Sequence, residues 1–406
     1  MLINDIIRDR KLVIYMYRKT YVEVNLNNVE SNIKNIINNY PGYDYYFGVV
    51  KGFSYSHGNK LAKYITDMGI NYLCVSSLEE GIEIRKYTNT PILCLEPISV
   101  KYIPLCIENN ITITLSSMNF FNELKSVNTD NLKIHLKVNS GMNRLGFKDK
   151  NELLEVYNYY KNNIEGIFSH FATSGLMDKD WDNQLDNFKE ITSLINLNDI
   201  KIVHLGRSLT LLNHEKIDFC NGVRLGIVMY GYNQTPKPQG GLKGKLREMK
   251  RNYIIKKNNI SKTIRNFDVE YKECFSLCSE VIEIQNLKKG DKVSYGGTYI
   301  ASGNERICVI PIGYADGYNR RFKNFKVSIN NKIYPLVGEV CMGMVMAKID
   351  DSVNIHDKVY LIGNNISVRE ASRYIGTTVY ETMCAIKNDL PRVYIKDNMI
   401  VDVEEW

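Results

Sequence analysis

Between about residue 20 and residue 230, short β-rich apolar runs alternate with longer stretches of helical periodicity. Eight such runs can be read: Tyr46 to Lys51, Tyr72 to Ser76, Ile92 to Leu95, Ile111 to Leu115, Ile134 to Val138, Gly166 to Ser169, Ile202 to Leu205 and Gly222 to Ile227. They are mainly apolar, without strict alternation of apolar and polar residues, as strands covered on both faces are. Between them, stretches such as Asn59 to Met68, Glu79 to Tyr87, Glu152 to Tyr160 and Gln184 to Leu194 place apolar residues at helical spacing. A strand and a helix repeated eight times predict a (β/α)8 TIM-type barrel, a parallel sheet closed inside a ring of helices.

After residue 267 the pattern changes to strands and turns with little helix, as in Phe275 to Glu283, Ile307 to Ile312, Phe325 to Tyr334 and Lys358 to Ile362. The expected fold class is therefore α/β, an N-terminal barrel over residues 21–233 followed by a mainly β C-terminal domain over 267–406. Tyr21 to Leu26, itself strand-like, is expected to pair into that second domain, behind an N-terminal extension of residues 1–20. Residues 234–266 carry ten Lys or Arg against one acid, Glu248. The simplest reading of this stretch is a solvated basic linker or insertion.

The chain's 406 residues, 44% hydrophobic, are enough for both domains. Its net charge of +7 would suit nucleic acid only if the basic residues clustered on one surface, and most are interleaved with acids. The apolar run Leu12 to Tyr17 is too short for a signal sequence or a spanning helix, and no uninterrupted apolar stretch of about 18 residues exists elsewhere, so no membrane partner is expected. Nine cysteines at irregular spacing, without a CxxC pair, argue against a disulfide framework and against a metal site, and for a reducing cytoplasm.

In such a barrel the chemistry sits just beyond the C-terminal strand ends, where the loops form the open mouth. Lys51 ends the first strand in GVVKGFSYSHG, His170 ends the sixth in GIFSHFATS, Ser208 follows the seventh in HLGRS, and Arg224 lies in the eighth in GVRLGIVMYG. A single lysine closing a strand could be a solvated charge. Four strand ends carrying polar groups of complementary chemistry point to a site.

The segments VVKGFSYSHG, LKVNSGMNRLGF, SHFATS, VRLGIVMYG, VSYGGTY, PIGYADGY, VGEVCMG and YETMCAIKNDLPRVYI, in this order, resemble the alanine racemase family from about residue 20 to 400. The resemblance implies a pyridoxal 5'-phosphate-dependent amino-acid racemase, acting on alanine or a related amino acid, that works as a homodimer with active sites shared between subunits. By position, Lys51 resembles the lysine that holds the cofactor through a Schiff base, which requires a neutral amine. Tyr55, Ser208, Gly226, Ile227 and Tyr380 match the phosphate site, where hydroxyl and backbone N–H donors surround a dianion. Arg224 matches the arginine at the pyridine nitrogen. A guanidinium there leaves that nitrogen unprotonated, which weakens the electron sink and favours rapid reprotonation at the α-carbon over transamination.

Inverting a stereocentre requires a proton carrier on each face of the α-carbon. The resemblance assigns one face to Lys51 and the other to Tyr295 of the neighbouring subunit, with a chain from Tyr295 through His170 to Arg224 stabilising the phenolate. Arg144 matches the arginine that meets the substrate carboxylate, with the Met342 N–H and Tyr314 also on the substrate side. Lys137 stands where several members carry a carbamylated lysine.

Several positions depart from the family's pattern: Gly52 and Phe53 replace the small residue and asparagine usual after the cofactor lysine, Ser56 replaces a glycine before His57, and four more lie on the phosphate and substrate sides. Arg207 replaces an asparagine before the phosphate-binding serine, and Gly343 replaces an aspartate after Cys-Met. Gly175 and Glu339 stand where an aspartate and an arginine of the substrate channel are usual, whereas Arg320 is retained. Gly343 would leave room beside the substrate side chain, so a serine or broad-specificity racemase is the alternative. An amino-acid decarboxylase would place a glutamate where Arg224 stands, and a non-catalytic cofactor-binding protein would be expected to lose Tyr295.

Overall fold

A computed structural model of the chain describes residues 16–173, 179–233, 241–260 and 269–405. They form two compact units, one of residues up to Val29 with Gly52–Gly58 and Glu273 onward, the other of Glu30–Lys51 and Asn59–Lys272. No helix among the described residues is long and apolar enough to cross a membrane.

The second unit is a closed parallel barrel of eight strands in chain order: β2 (Tyr45–Val49), β3 (Tyr72–Val75), β4 (Ile92–Cys94), β5 (Ile111–Leu115), β6 (Ile134–Lys137), β7 (Ile164–Phe168), β8 (Ile202–Arg207) and β9 (Gly222–Leu225). β9 closes the barrel by pairing with β2, Phe47 opposite Arg224. β3, β4 and β5 are buried at every residue. Each Val, Ile or Leu so covered contributes roughly 1.5–3 kcal/mol. The helices begin where a side chain can take up free N–H groups: Ser77 accepts from Glu80 N at 3.4 Å, Ser117 from Phe120 N at 3.2 Å, and Asp149 from Asn151 N and Glu152 N at 2.7 and 3.0 Å.

The first unit is built on a ten-stranded sheet. Its strands are β1 (Tyr21–Asn25), β10 (Phe275–Glu280), β11 (Glu283–Leu287), β14 (Glu305–Ile310), β15 (Lys326–Ile329), β16 (Lys332–Val337), β17 (Val345–Ile349), β18 (Lys358–Ile362), β19 (Arg392–Lys396) and β20 (Met399–Glu404). Their order is β11-β14-β17-β16-β15-β18-β10-β1-β19-β20, and the short strands β12 (Lys292–Val293) and β13 (Tyr299–Ile300) pair separately. β1 runs antiparallel to β10 and parallel to β19, so the first strand of the described residues lies inside a sheet made otherwise from the chain's last third.

The stretch read as a solvated linker contains a 17-residue helix, Gly241–Lys257. Good helix formers (Leu, Lys, Arg, Met) occupy most of its positions.

Candidate active site

β2 ends at Val49, and Lys51 lies two residues beyond it, at the barrel's C-terminal mouth. From Gly52 to Ser56 the backbone is then left-handed, with φ between 52° and 67° at every residue. Only the first of these is glycine, and a left-handed residue with a Cβ costs about 1–2 kcal/mol. Arg392 holds this turn within the first unit. Its fully buried guanidinium donates to Ser56 O at 3.0 Å, Ser56 Oγ at 2.5 Å, and the carbonyls of Lys387, Asn388 and Leu390 at 2.6–3.0 Å. The guanidinium also lies 4.7 Å from the centre of the Phe53 ring. Gly58, at φ 94°, closes the turn where a Cβ would lie 2.1 Å from Tyr394 Oη.

Arg224, on β9, is 3% exposed. Its Nη1 donates to His204 Nδ1 at 2.6 Å and His204 O at 2.9 Å; its Nη2 donates to Ser169 O at 2.7 Å and Leu205 O at 3.1 Å and lies 3.3 Å from His170 Nδ1. A guanidinium can only donate, so Nδ1 of each histidine is the acceptor. His204 must then carry its proton on Nε2 and donate it to His135 Nδ1, 2.9 Å away. That leaves the His135 proton on Nε2, 3.7 Å from Glu165 Oε2. Burial raises the Glu165 carboxyl, but His135, Lys201 and Tyr72 together bring it down to about 2. Burial, then Arg224, keeps His204 and His170 well below the ordinary histidine range, so both are neutral. Gly166 makes room for this column, since a Cβ there would lie 2.6 Å from the His135 ring.

The Nη groups of Arg224 are thus fully used, while its Nε–H has no protein partner among the described residues. An acceptor such as a neutral aromatic nitrogen fits this donor. Ser208 follows β8 directly; its Oγ accepts from Gly226 N at 2.9 Å, which leaves the Ser208 O–H free to donate. The groups that depress His170 beyond burial are all cations: Arg224, Lys137, Arg207 and Arg144. Lys137 is buried and pushed well down by that burial, then by Arg224 and Arg144, with its Nζ 4.4 Å from the Phe168 ring centre. This concentration of positive charge suits a phosphate and a carboxylate. The donor set therefore fits pyridoxal phosphate.

The remaining candidates lie in the first unit. Tyr55 is buried with its ring 5.9 Å from that of Tyr380. Tyr295, Met342 and Tyr314 are exposed at 74%, 60% and 43%. Their loops are stapled together: Tyr314 N donates to Cys341 O at 3.1 Å, Ala315 N to Met342 O at 2.9 Å, and Ser294 Oγ lies 3.4 Å from Cys341 Sγ. Glu339 pairs with Lys323 and with Arg320 at 3.6 Å. Gly343 is exposed, with nothing within 4 Å of where a Cβ would stand. Gly175 lies outside the described residues.

Residues 24–234 match the model of the alanine racemase N-terminal domain, and residues 274–394 that of the C-terminal domain. The chain belongs to the alanine racemase family. It is 32% identical to the alanine racemase of Lactobacillus acidophilus, over 93% of this chain and 98% of that one, and 32% identical to that of Pediococcus pentosaceus, over 96% and 100%. Among solved structures it resembles alanine racemase from Bacillus anthracis with bound L-Ala-P, at TM-score 0.83 and 30% identity over 97% of this chain and 99% of that one. A histidine racemase from Leuconostoc mesenteroides shares the fold, at TM-score 0.78 and 23% identity over 94% and 99%.

Within the barrel the structure gathers Arg224, His170, Lys137, Ser208, Gly226 and Arg207, all at or beyond the C-terminal strand ends. Lys51 and Arg144 stand on loops at that same mouth, Arg144 exposed. Sequence reasoning missed His204, His135, Glu165 and Arg392. The first two had a signal, a histidine inside an apolar run at IHLK and IVHLG, and Arg392 stands in DLPRVYI.

Proposed function

We propose that this protein is a pyridoxal-phosphate-dependent racemase that interconverts L- and D-alanine or a related amino acid, as a homodimer in a reducing cytoplasm. The observation that carries the reading is Arg224, buried, its Nη groups committed to the barrel and its Nε left for a ring nitrogen. When bound, the cofactor supplies the electron sink that makes the α-proton of an amino acid removable.

Lys51 holds the cofactor. Ser208 O–H and Ile227 N–H, with Tyr55 and Tyr380, hold its phosphate. Arg144 and Met342 N–H orient the substrate carboxylate, beside Tyr314. Lys51 Nζ takes or returns the α-proton on one face, and Tyr295 Oη of the partner subunit does so on the other. The high exposure of Tyr295 and Met342 in one chain supports a site completed by a second copy. Because His170 Nδ1 accepts from Arg224, its Nε2–H is left to donate to a phenolate. Burial, then Arg224 and Arg144, pushes Lys137 well below the ordinary lysine range, toward the neutral amine that carbamylation by CO2 requires. Nine free cysteines, seven of them buried, support a reducing compartment.

The experiment is to purify the protein, look for cofactor absorbance near about 420 nm, as a lysine Schiff base implies, and screen L-amino acids for D-product by chiral chromatography. Conversion of alanine or serine supports the reading, with Gly343 and Arg207 as tolerated variations. Preferred conversion of a longer substrate makes Gly343 a specificity determinant. Bound cofactor without racemisation of any amino acid would overturn the reading.

A further inference from the structure

The helix Gly241–Lys257 lies between the two stretches that match the family's domain models, outside both. It carries seven Lys or Arg and one Glu in 17 residues. Leu242, Leu246, Met249 and Tyr253 are spaced by four, three and four residues, which at about 100° per residue aligns them along one side of the helix. All four are exposed, between 58% and 77%. Lys245 and Lys256 flank this stripe on one side and Lys250 and Lys257 on the other, all exposed, with Lys257 Nζ 6.0 Å from the Tyr253 ring centre. The opposite side turns inward: Glu248, Arg251, Ile254 and Ile255 are partly covered, and Arg251 bonds Glu248 at 3.0 Å.

We infer that this helix is a docking surface for an anionic lipid bilayer, lying flat in the headgroup region with the Leu242–Leu246–Met249–Tyr253 stripe inserted. A narrow apolar line between two rows of lysines is the pattern of an interfacial helix, the lysine stems lying along the apolar region and their ammonium groups reaching lipid phosphates. Charge decides among occupants. A second copy of this helix would set two strongly basic surfaces against each other. A nucleic acid would neutralise the lysines but leave four large apolar side chains in water, whereas an anionic bilayer accepts both. The surface is peripheral and independent of the racemase reading.

The test is cosedimentation of the full-length protein with vesicles of equal parts phosphatidylglycerol and phosphatidylcholine, and with vesicles of phosphatidylcholine alone. Binding is expected to the anionic vesicles only and to fall with salt. The double variant Leu246→Asp/Met249→Asp, which keeps every lysine, should bind at least about tenfold more weakly. The variant Lys250→Gln/Lys257→Gln should also lose about tenfold or more, since each lysine near an anionic surface is worth about fivefold. Both should melt as the parent does, because the substituted side chains are exposed. No binding to anionic vesicles, equal binding to neutral ones, or binding undiminished in the Leu246/Met249 variant would overturn the inference. So would binding of duplex DNA that survives loss of the stripe, which would make this a polyanion site, or self-association lost in the stripe variant, which would make it a contact between copies.

Discussion

Arg224 Nη1 donates to His204 Nδ1 at 2.6 Å, and this single bond sets the tautomer of a buried column that runs on through His135 to Glu165. The column fixes the guanidinium within the barrel through its Nη groups. Substituting His204→Leu should leave an Nη donor without its acceptor inside the barrel. A lost hydrogen bond to a charged group costs about 1.5–3 kcal/mol, so cofactor affinity should fall roughly 10- to 100-fold. Titration of the apoprotein with pyridoxal phosphate measures it. Unchanged affinity would mean that Arg224 is held without the column.

Three buried histidines and the half-buried His170 make stability depend on pH. Burial lowers His57 to about 4 and depresses His135, and burial with Arg224 puts His170 and His204 well below their usual range. The unfolded chain therefore binds protons that the folded one refuses. Their contribution is complete above the ordinary pKa near 6.5 and is lost as pH falls from there through the folded-state values. His57 alone is worth about 3 kcal/mol. The urea midpoint should drop steeply between pH 7 and pH 5, about where histidine titrates. A flat profile would contradict the buried neutral column.

Arg392→Ala should be among the most damaging single changes. It leaves the Ser56, Lys387, Asn388 and Leu390 carbonyls without their donor and removes the clamp on a left-handed turn that follows Lys51 directly. A loss of about 3 kcal/mol or more is expected, together with weaker cofactor binding. Denaturant melts and a cofactor titration check both.

Gly343→Asp restores the family's usual residue at a position with open space, so the variant should fold as the parent does. If Gly343 admits longer side chains, the substitution should shift kcat/KM toward alanine over larger substrates by about 10- to 200-fold. Parallel assays on alanine and a longer substrate decide it.

The barrel was legible because its strands are largely covered and read as mainly apolar runs, bounded to within two residues. The placing of Lys51, His170, Ser208 and Arg224 at strand ends was legible because each stands in or just after an apolar run of the barrel. The column was not, because His204, His135 and Glu165 point into the barrel core, where a histidine in an apolar run reads as filler until its neighbours across the barrel are known. The Arg392 clamp joins residues more than 300 positions apart, a relationship no local pattern encodes. Nor could the sequence show that Glu339 is already paired with Arg320 and Lys323, which makes its replacement of an arginine a local charge rearrangement.

The two-carrier account is tested most directly by deuterium incorporation at the α-carbon, measured for each alanine enantiomer separately in solvent deuterium oxide with the Tyr295→Phe variant. With Lys51 intact and the cofactor retained, exchange should persist for one enantiomer and fall by about 100-fold or more for the other, the range a positioned acid or base contributes. Equal slowing for both enantiomers, or no slowing for either, would contradict opposed proton carriers at Lys51 and Tyr295.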